Sequence, residues 1–246
     1  MTDVEHINPY SDDSRGKKEQ VAAMFDAIAP AYDFMNRAMS MGMDRLWLRA
    51  LLKTVRAAAP AHVVDLATGT GDVAFAIASA MPDATVVGLD ISEGMLDKAR
   101  SRAVTAPEGP RLSFRCADCL ATGLPDECAD MVTVAYGVRN FADIEAGYRE
   151  MLRILRPGGT LAVLELSKPV NPLVKPFYAL YTRAIIPFAG RIVSGDSRAY
   201  TYLPESIAAA PAGQAMTDIM LRAGFCHASF RRMPFGVCTL YTAAKA

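Results

Sequence analysis

Asp65-Leu-Ala-Thr-Gly69-Thr-Gly71-Asp72 sets two glycines between carboxylates, directly after the β-branched run His62–Ala67. Gly69 and Gly71 allow tight backbone conformations and close ligand approach, because no Cβ intervenes. Asp90 closes the next such run, 21 residues after Gly69, where it can accept hydrogen bonds from both hydroxyls of an adenosine ribose. A glycine turn at the end of a strand, followed by an acid for the sugar, is nucleotide-binding chemistry. Two alternatives share the pattern. Gly69-x-Gly71-x-x-Ala74 with Asp90 also satisfies a dinucleotide fingerprint, and the glycines can serve a strand-to-helix turn alone.

Three features favour a sulfonium nucleoside, S-adenosyl-L-methionine, over NAD. Asp65 lies four residues before Gly69, aimed at the ligand crevice. There it would attract an ammonium group, directly or through water, and repel a pyrophosphate. Asp118 follows the third strand, in the loop expected to border an adenine, where it can accept the amino proton while Cys119 offers a backbone amide. Arg156-Pro-Gly-Gly159 leads into the fifth strand, a turn common in methyltransferases of this class.

The elements around these residues follow from periodicity. Val21, Met24, Phe25 and Ile28 share one helical face in 17–29, and Leu46, Trp47, Ala50 and Leu51 share another in Met43–Val55. From His62 onward, strands (62–67, 85–89, 112–115, 130–135, 160–166) alternate with helices (73–80, 92–102, 144–155), Ser92 being an N-cap for the second of these. The Arg156–Gly159 turn is expected to end the third helix and launch strand five at Thr160. The alternation stops over 168–211, where Pro169, Pro172, Pro176, Pro187, Pro204 and Pro211 punctuate an insertion rich in aromatics. It resumes with a helix over 213–222 and strands over 225–232 and 237–244. The expected fold is therefore α/β: a doubly wound, mostly parallel, seven-stranded Rossmann-like sheet. Residues 1–16 read as a flexible polar tail. Residues 17–246 read as one domain, with a helical cap over 17–60 and a lid-like insertion over 168–211.

Composition narrows the classes. The 246 residues carry 26 basic and 26 acidic side chains, so no basic excess points to a nucleic-acid partner. The polar amino terminus is not a secretory signal, and no stretch reaches the ~20 apolar residues of a membrane span. A cytosolic protein with reduced thiols is expected from five cysteines. Cys116 and Cys119 form a lone C-x-x-C without the second pair a zinc site needs. His6, His62 and His227 have no metal-ligand partner in sequence, so no metal is expected.

Longer motifs then give a narrower resemblance. Tyr32-Asp-Phe-Met-Asn36, Ser40-Met-Gly-Met-Asp-Arg-Leu-Trp47, Tyr136-Gly-Val-Arg-Asn140, Arg153-Ile-Leu-Arg-Pro-Gly-Gly159, Leu164-Glu-Leu-Ser-Lys-Pro169, Tyr200-x-Tyr202-Leu-Pro-Glu-Ser-Ile207, Gly224-Phe225 and Phe235-Gly236 occur in order. The chain resembles the UbiE/MenG/COQ5 quinone C-methyltransferases over 18–244. The resemblance implies methylation of a ring carbon in a prenylated quinol, demethylmenaquinol first, with the methoxy-benzoquinol of ubiquinone synthesis as a second substrate. A quinol hydroxyl loses its proton, the oxygen pushes charge onto the ring carbon, and that carbon displaces the sulfonium methyl in line before the ring loses its own proton. The cofactor would meet Asp65, Gly69, Thr70, Asp90, Asp118 and Cys119.

Arg139, binding or polarising the quinol oxygen directly or through water, and Asn140, orienting it, are the expected catalytic pair. The alternative is an Arg139 that pairs with Asp143 or Glu165 as scaffold. Tyr32 is a weaker substrate-site candidate, while Met41, Met43 and Trp47 read as packing. The family usually has His where this chain has Asp44, so no general-base role rests there. Within 168–211, Phe177, Tyr178, Tyr181, Ile185, Ile186 and Phe188 are expected to bury the prenyl chain. Lys175, Arg183 and Arg191 would face anionic lipid in transient contact with the membrane surface. The competing reading packs these aromatics on the sheet or between subunits of a homo-oligomer. Two functions from other classes also stand: an NAD-dependent oxidoreductase on the same glycine turn, and a non-catalytic prenyl-quinone binder.

Overall fold

In the computed structural model, residues 2–10, 12–32, 36–37, 40, 42–180 and 197–246 are described. Short apolar runs supply the strands: β1 (His62–Leu66), β2 (Thr85–Asp90), β3 (Leu112–Cys116), β4 (Ala129–Ala135), β5 (Leu155–Leu166), β6 (Cys226–Arg232) and β7 (Cys238–Ala244). They form one seven-stranded sheet in the order β3-β2-β1-β4-β5-β7-β6. The first five strands are parallel, and β7 runs antiparallel to both of its neighbours. Strand order reverses between β1 and β4, so the crevice of a doubly wound sheet opens at their carboxyl ends.

Successive strand residues bury themselves on opposite faces. Val63, Met131, Ala162 and Leu164 join the core under helices α2 (Asp44–Ala58), α3 (Asp72–Ala80) and α4 (Glu93–Thr105). Val64, Val132, Val134, Leu161 and Val163 join the opposite core under α5 (Ile144–Ile154) and α8 (Gln214–Arg222). Ile144, Tyr148, Met151 and Ile154 make the buried stripe of α5 at helical spacing. Its N-cap is Asp143, whose carboxylate accepts from the Ala146 amide at 2.8 Å. Ser92 caps α4 as expected, accepting from the Met95 amide at 3.1 Å.

Two expectations change. The described part of the expected tail docks on the domain: Asp3–His6 make a 3-10 turn, and Val4 is fully buried. Glu5 accepts from the Ile144 amide at 2.8 Å, and Lys17, which opens α1 (Lys17–Ile28), donates to the Val4 carbonyl at 2.5 Å. A mixed composition hid this, because the apolar anchors Val4, Ile7 and Tyr10 sit scattered among charges. The Arg156–Gly159 turn does not precede β5 but lies inside it. Pairing with β4 jumps from Ala129–Leu155 to Met131–Thr160, so the turn bulges from a continuous strand. The insertion contains helices, α6 (Lys175–Leu180) and α7 (Ser197–Ala209), and α7 carries Pro204 inside it. Tyr181, Arg183, Ile185, Ile186, Phe188 and Arg191 of the expected lid lie outside the described residues, as does Met41.

Among the described residues, no helix is long and apolar enough to cross a membrane.

Candidate functional site

A cavity of about 600 Å³ opens over the carboxyl ends of β1 and β4. Asp65, Gly69, Thr70, Arg139 and Asn140 line it, with α1, α2, α6 and α7 closing over the sheet. A second cavity of about 90 Å³ adjoins it through Tyr32, Gly69 and Asn140, and takes in Asp90, Asp118 and Cys119. All eight residues singled out from the sequence therefore border one connected space. The smaller part is narrower than the ~300 Å³ of an ordinary ligand pocket, because α1 lies across it. Lys18 pairs with Asp118 at 2.9 Å, and Asp26 accepts from the Ser92 hydroxyl at 2.6 Å and the Gly94 amide at 2.9 Å.

The nucleotide end is built from backbone amides and hydroxyls gathered on carboxylates. Gly69 adopts a φ of +56°, and a Cβ there would meet only the Tyr32 ring, at 3.9 Å. Its amide donates to Asp90 Oδ2 at 2.8 Å, while the Ser92 amide donates to Oδ1 at 2.9 Å. Burial raises the Asp90 carboxyl, opposed by these amides. Asp65 is 1% exposed and accepts from the hydroxyls of Thr68 and Thr133, each at 2.6 Å. Burial still pushes its carboxyl up to about 6, so the group is ionised at neutral pH with no cationic partner among the described residues. Cys119 is buried and its thiol is held well above its usual range by that burial, so it offers no nucleophile.

These groups fit an S-adenosyl-L-methionine. Asp90 retains acceptor capacity for a ribose, Asp65 is an unpaired negative charge suited to an ammonium, and Gly69 leaves open space beside both. Asp118 is less available than expected, since Lys18 takes Oδ2 and the Leu120 amide takes Oδ1 at 2.9 Å.

The opposite end is organised differently. Beyond β4, Val138–Asn140 form a 3-10 turn. Gly137 enables it by close approach: a Cβ there would lie 2.5 Å from that of Ala67 at the end of β1. Arg139 is 6% exposed, and its Nη1 meets Glu165 Oε1 at 2.7 Å and also donates to the Tyr136 carbonyl. Its backbone amide donates to Glu165 Oε2 at 3.1 Å. Glu165, not Asp143, is thus the partner the sequence left open. Burial works against the Arg139 charge, but the adjacent carboxylate outweighs it and holds the guanidinium protonated. Arg139 Nε is buried without a hydrogen-bond partner. An orphaned donor of this kind costs ~1–3 kcal/mol. Asn140 Oδ1 accepts from the Tyr202 hydroxyl at 3.1 Å.

Several lining residues were not assigned a role from the sequence. Trp47 and Met43 read as packing, yet both line the large cavity, Trp47 packing edge-on against Tyr136 at 6.2 Å. Asp44 also lines it and accepts from Ser40 Oγ at 2.8 Å. Tyr202 arrives from α7, and only its place in a quoted motif marked it. Lys17 lines neither cavity but braces the turn from below: 13 residues from Val4 and 122 from Arg139, it bonds the carbonyls of both and had no local signal.

Residues 13–245 match the model of the ubiE/COQ5 methyltransferase family. The chain is 42% identical over 241 residues to a demethylmenaquinone methyltransferase of Bacteroides fragilis, covering 98% of each. It is 42% identical over the full length of both chains to the enzyme of that name from Porphyromonas gingivalis. It is also 40% identical to a ubiquinone/menaquinone biosynthesis C-methyltransferase of Geobacter sulfurreducens, covering 93% of this chain and 90% of that one. In fold it is similar to the [4+2]-cyclase SpnF, with a TM-score of 0.66 at 18% identity and coverage of 93% and 96%. It is likewise similar to a possible histamine N-methyltransferase of Thermotoga maritima, with a TM-score of 0.62 at 17% identity and coverage of 91% and 99%. The dinucleotide reading of the glycine turn finds no support among these relatives, and the acid crevice argues against it physically. The chain belongs to the ubiE/COQ5 methyltransferase family and is an S-adenosyl-L-methionine-dependent methyltransferase.

Proposed function

We propose that this enzyme methylates a ring carbon of a prenylated quinol, demethylmenaquinol first, with the corresponding methoxy-benzoquinol as a second substrate. The observation that carries the reading is one apolar-walled space joining an acid nucleotide end to the Arg139–Asn140 turn. Relatives matched over their whole length bear demethylmenaquinone methyltransferase as their name, which supports the substrate class. Bound against Asp65, Gly69, Thr70, Asp90, Asp118 and Cys119, the cofactor supplies an electrophilic methyl group. Arg139 places a fixed positive charge where the quinol oxygen becomes anionic, and Asn140 orients that oxygen. The surrounding side chains exclude water, so that charge acts in a weakly screening medium.

Incubation with methyl-labelled cofactor and each reduced quinone tests the reading. Label should enter the naphthoquinol lipid. Absence of label from every quinol, or tight NAD binding, would overturn it.

The same reading brings the enzyme from the cytoplasm to a membrane surface, where such substrates reside. Phe177 and Leu180 border the cavity, and both stand exposed, as do the neighbouring Leu173 and Lys175. Apolar side chains next to cations suit reversible contact with anionic lipid. Sedimentation with anionic vesicles at low salt, lost at high salt and weakened in Arg183→Glu, is the expected result. No sedimentation at low salt would return the insertion to a packed lid or a contact between subunits.

A further inference from the structure

We propose that Tyr202 is a positioning residue for methyl transfer: its hydroxyl fixes which end of the Asn140 amide is offered to the quinol. This rests on the quinol reading above and assigns a residue to which no role was given there.

Tyr202 is 3% exposed, with its ring packed among Met24, Ile28 and Ala29 of the amino-terminal segment and Met95 of α4. The packing fixes the ring. The hydroxyl then reaches Asn140 Oδ1 at 3.1 Å, across 62 residues of chain. Burial holds the phenol up at about 12, so the hydroxyl keeps its proton and acts as a donor throughout the working range.

An amide side chain can point either way at little cost in shape. Here the choice is forced. A buried hydroxyl needs an acceptor, and among the described residues Asn140 Oδ1 is the one its bond is made to. With Oδ1 engaged, the part of the amide left for the cavity is its N–H pair. Asn140 is thereby set as a donor beside the Arg139 guanidinium. Two donors suit an oxygen that gains negative charge as the ring carbon attacks, whereas an inverted amide would present a repelling carbonyl. The insertion therefore completes the site as well as covering it, since α7 supplies the group that sets the polarity of the turn after β4.

The experiment is a double-mutant cycle on quinol methylation, using the full chain and labelled cofactor. Tyr202→Phe keeps the ring and removes the donor. Its kcat should fall about tenfold, the cost of one hydrogen bond that acts in the transition state. KM for the quinol, affinity for S-adenosylhomocysteine and the thermal transition should stay near parental values. In an Asn140→Ala background, Tyr202→Phe should have no further effect, because the amide it orients is gone. Tyr202→Met, which fills the pocket without a donor, should reproduce the loss and stands in if Tyr202→Phe does not fold. Parental kcat in Tyr202→Phe, or losses that multiply with those of Asn140→Ala, would overturn the inference. A parent chain that methylates no quinol would instead overturn the substrate reading beneath it.

Discussion

The two ends of the cavity bury charge in opposite ways. At the nucleotide end, Asp65 and Asp90 are satisfied by neutral donors, hydroxyls from Thr68 and Thr133 and amides from Gly69 and Ser92. No cation cancels either charge within that shell, and burial raises both carboxyls. At the quinol end, Arg139 and Glu165 form a buried pair that is neutral as a unit. The first arrangement is complete only when a cationic ligand arrives. The second balances its charge internally, through the Arg139–Glu165 pair, and needs no charged ligand. A sulfonium with an ammonium tail, and an uncharged quinol, match the two ends in that order.

The largest expected effect comes from breaking the self-neutral end. Glu165→Ala leaves a buried guanidinium unpaired and should cost ~3–5 kcal/mol in urea denaturation, whereas the double change Glu165→Leu with Arg139→Met should recover most of it. If both variants lose the same amount, the pair is not the unit described. Next comes Arg139→Ala, expected to lose on the order of 10²-fold in turnover while keeping its calorimetric affinity for S-adenosylhomocysteine. Turnover at the parental rate would make Arg139 scaffold alone. At the other end, Asp90→Ala should weaken cofactor binding by ~1–3 kcal/mol and leave kcat at saturation less affected. Unchanged affinity would remove Asp90 from the site.

The smallest effect is in pH dependence. Asp65 has a folded-state value raised to about 6 from the ordinary 3.8 of a free carboxyl. The folded protein therefore binds more protons than the unfolded one in that window. Its contribution to stability is full below the window and is lost as pH rises through it. Cofactor binding should run the other way, strengthening as Asp65 ionises. Titrations from pH 5 to 7 should show this in the parent and a flatter profile in Asp65→Asn. An equal slope in both would assign the dependence elsewhere.

The nucleotide end was legible because its partners are neighbours in the chain: Asp65 with Thr68, Asp90 with Ser92, and the glycine turn between two strands. Periodicity likewise placed the strands of the sheet closely, except for the start of β5, which the structure puts at Leu155 rather than Thr160. The quinol end was only half legible. Arg139 and Asn140 stood out, but the choice of Glu165 over Asp143 depends on β4 and β5 lying side by side. Asp143 proved to be a helix cap. Tyr202 was hidden further, since Pro204 argues against the helix that carries it. Position 156–159 misled in a subtler way: a Pro-Gly-Gly turn reads as a boundary, and here the strand continues past it as a bulge.

The docked residues 2–17 have a consequence in time. Val4 and Glu5 are synthesised early, yet the Ile144 amide that Glu5 binds appears 139 residues later. The Arg139 carbonyl that Lys17 binds is likewise 122 residues away. Contacts of such sequence separation close slowly, because the intervening chain must be ordered first. During translation these residues therefore wait while β1 to β4 assemble behind them, and a chain that has only just emerged carries the Val138–Asn140 turn without its underlying brace. Activity should accordingly lag behind the appearance of sheet structure during refolding.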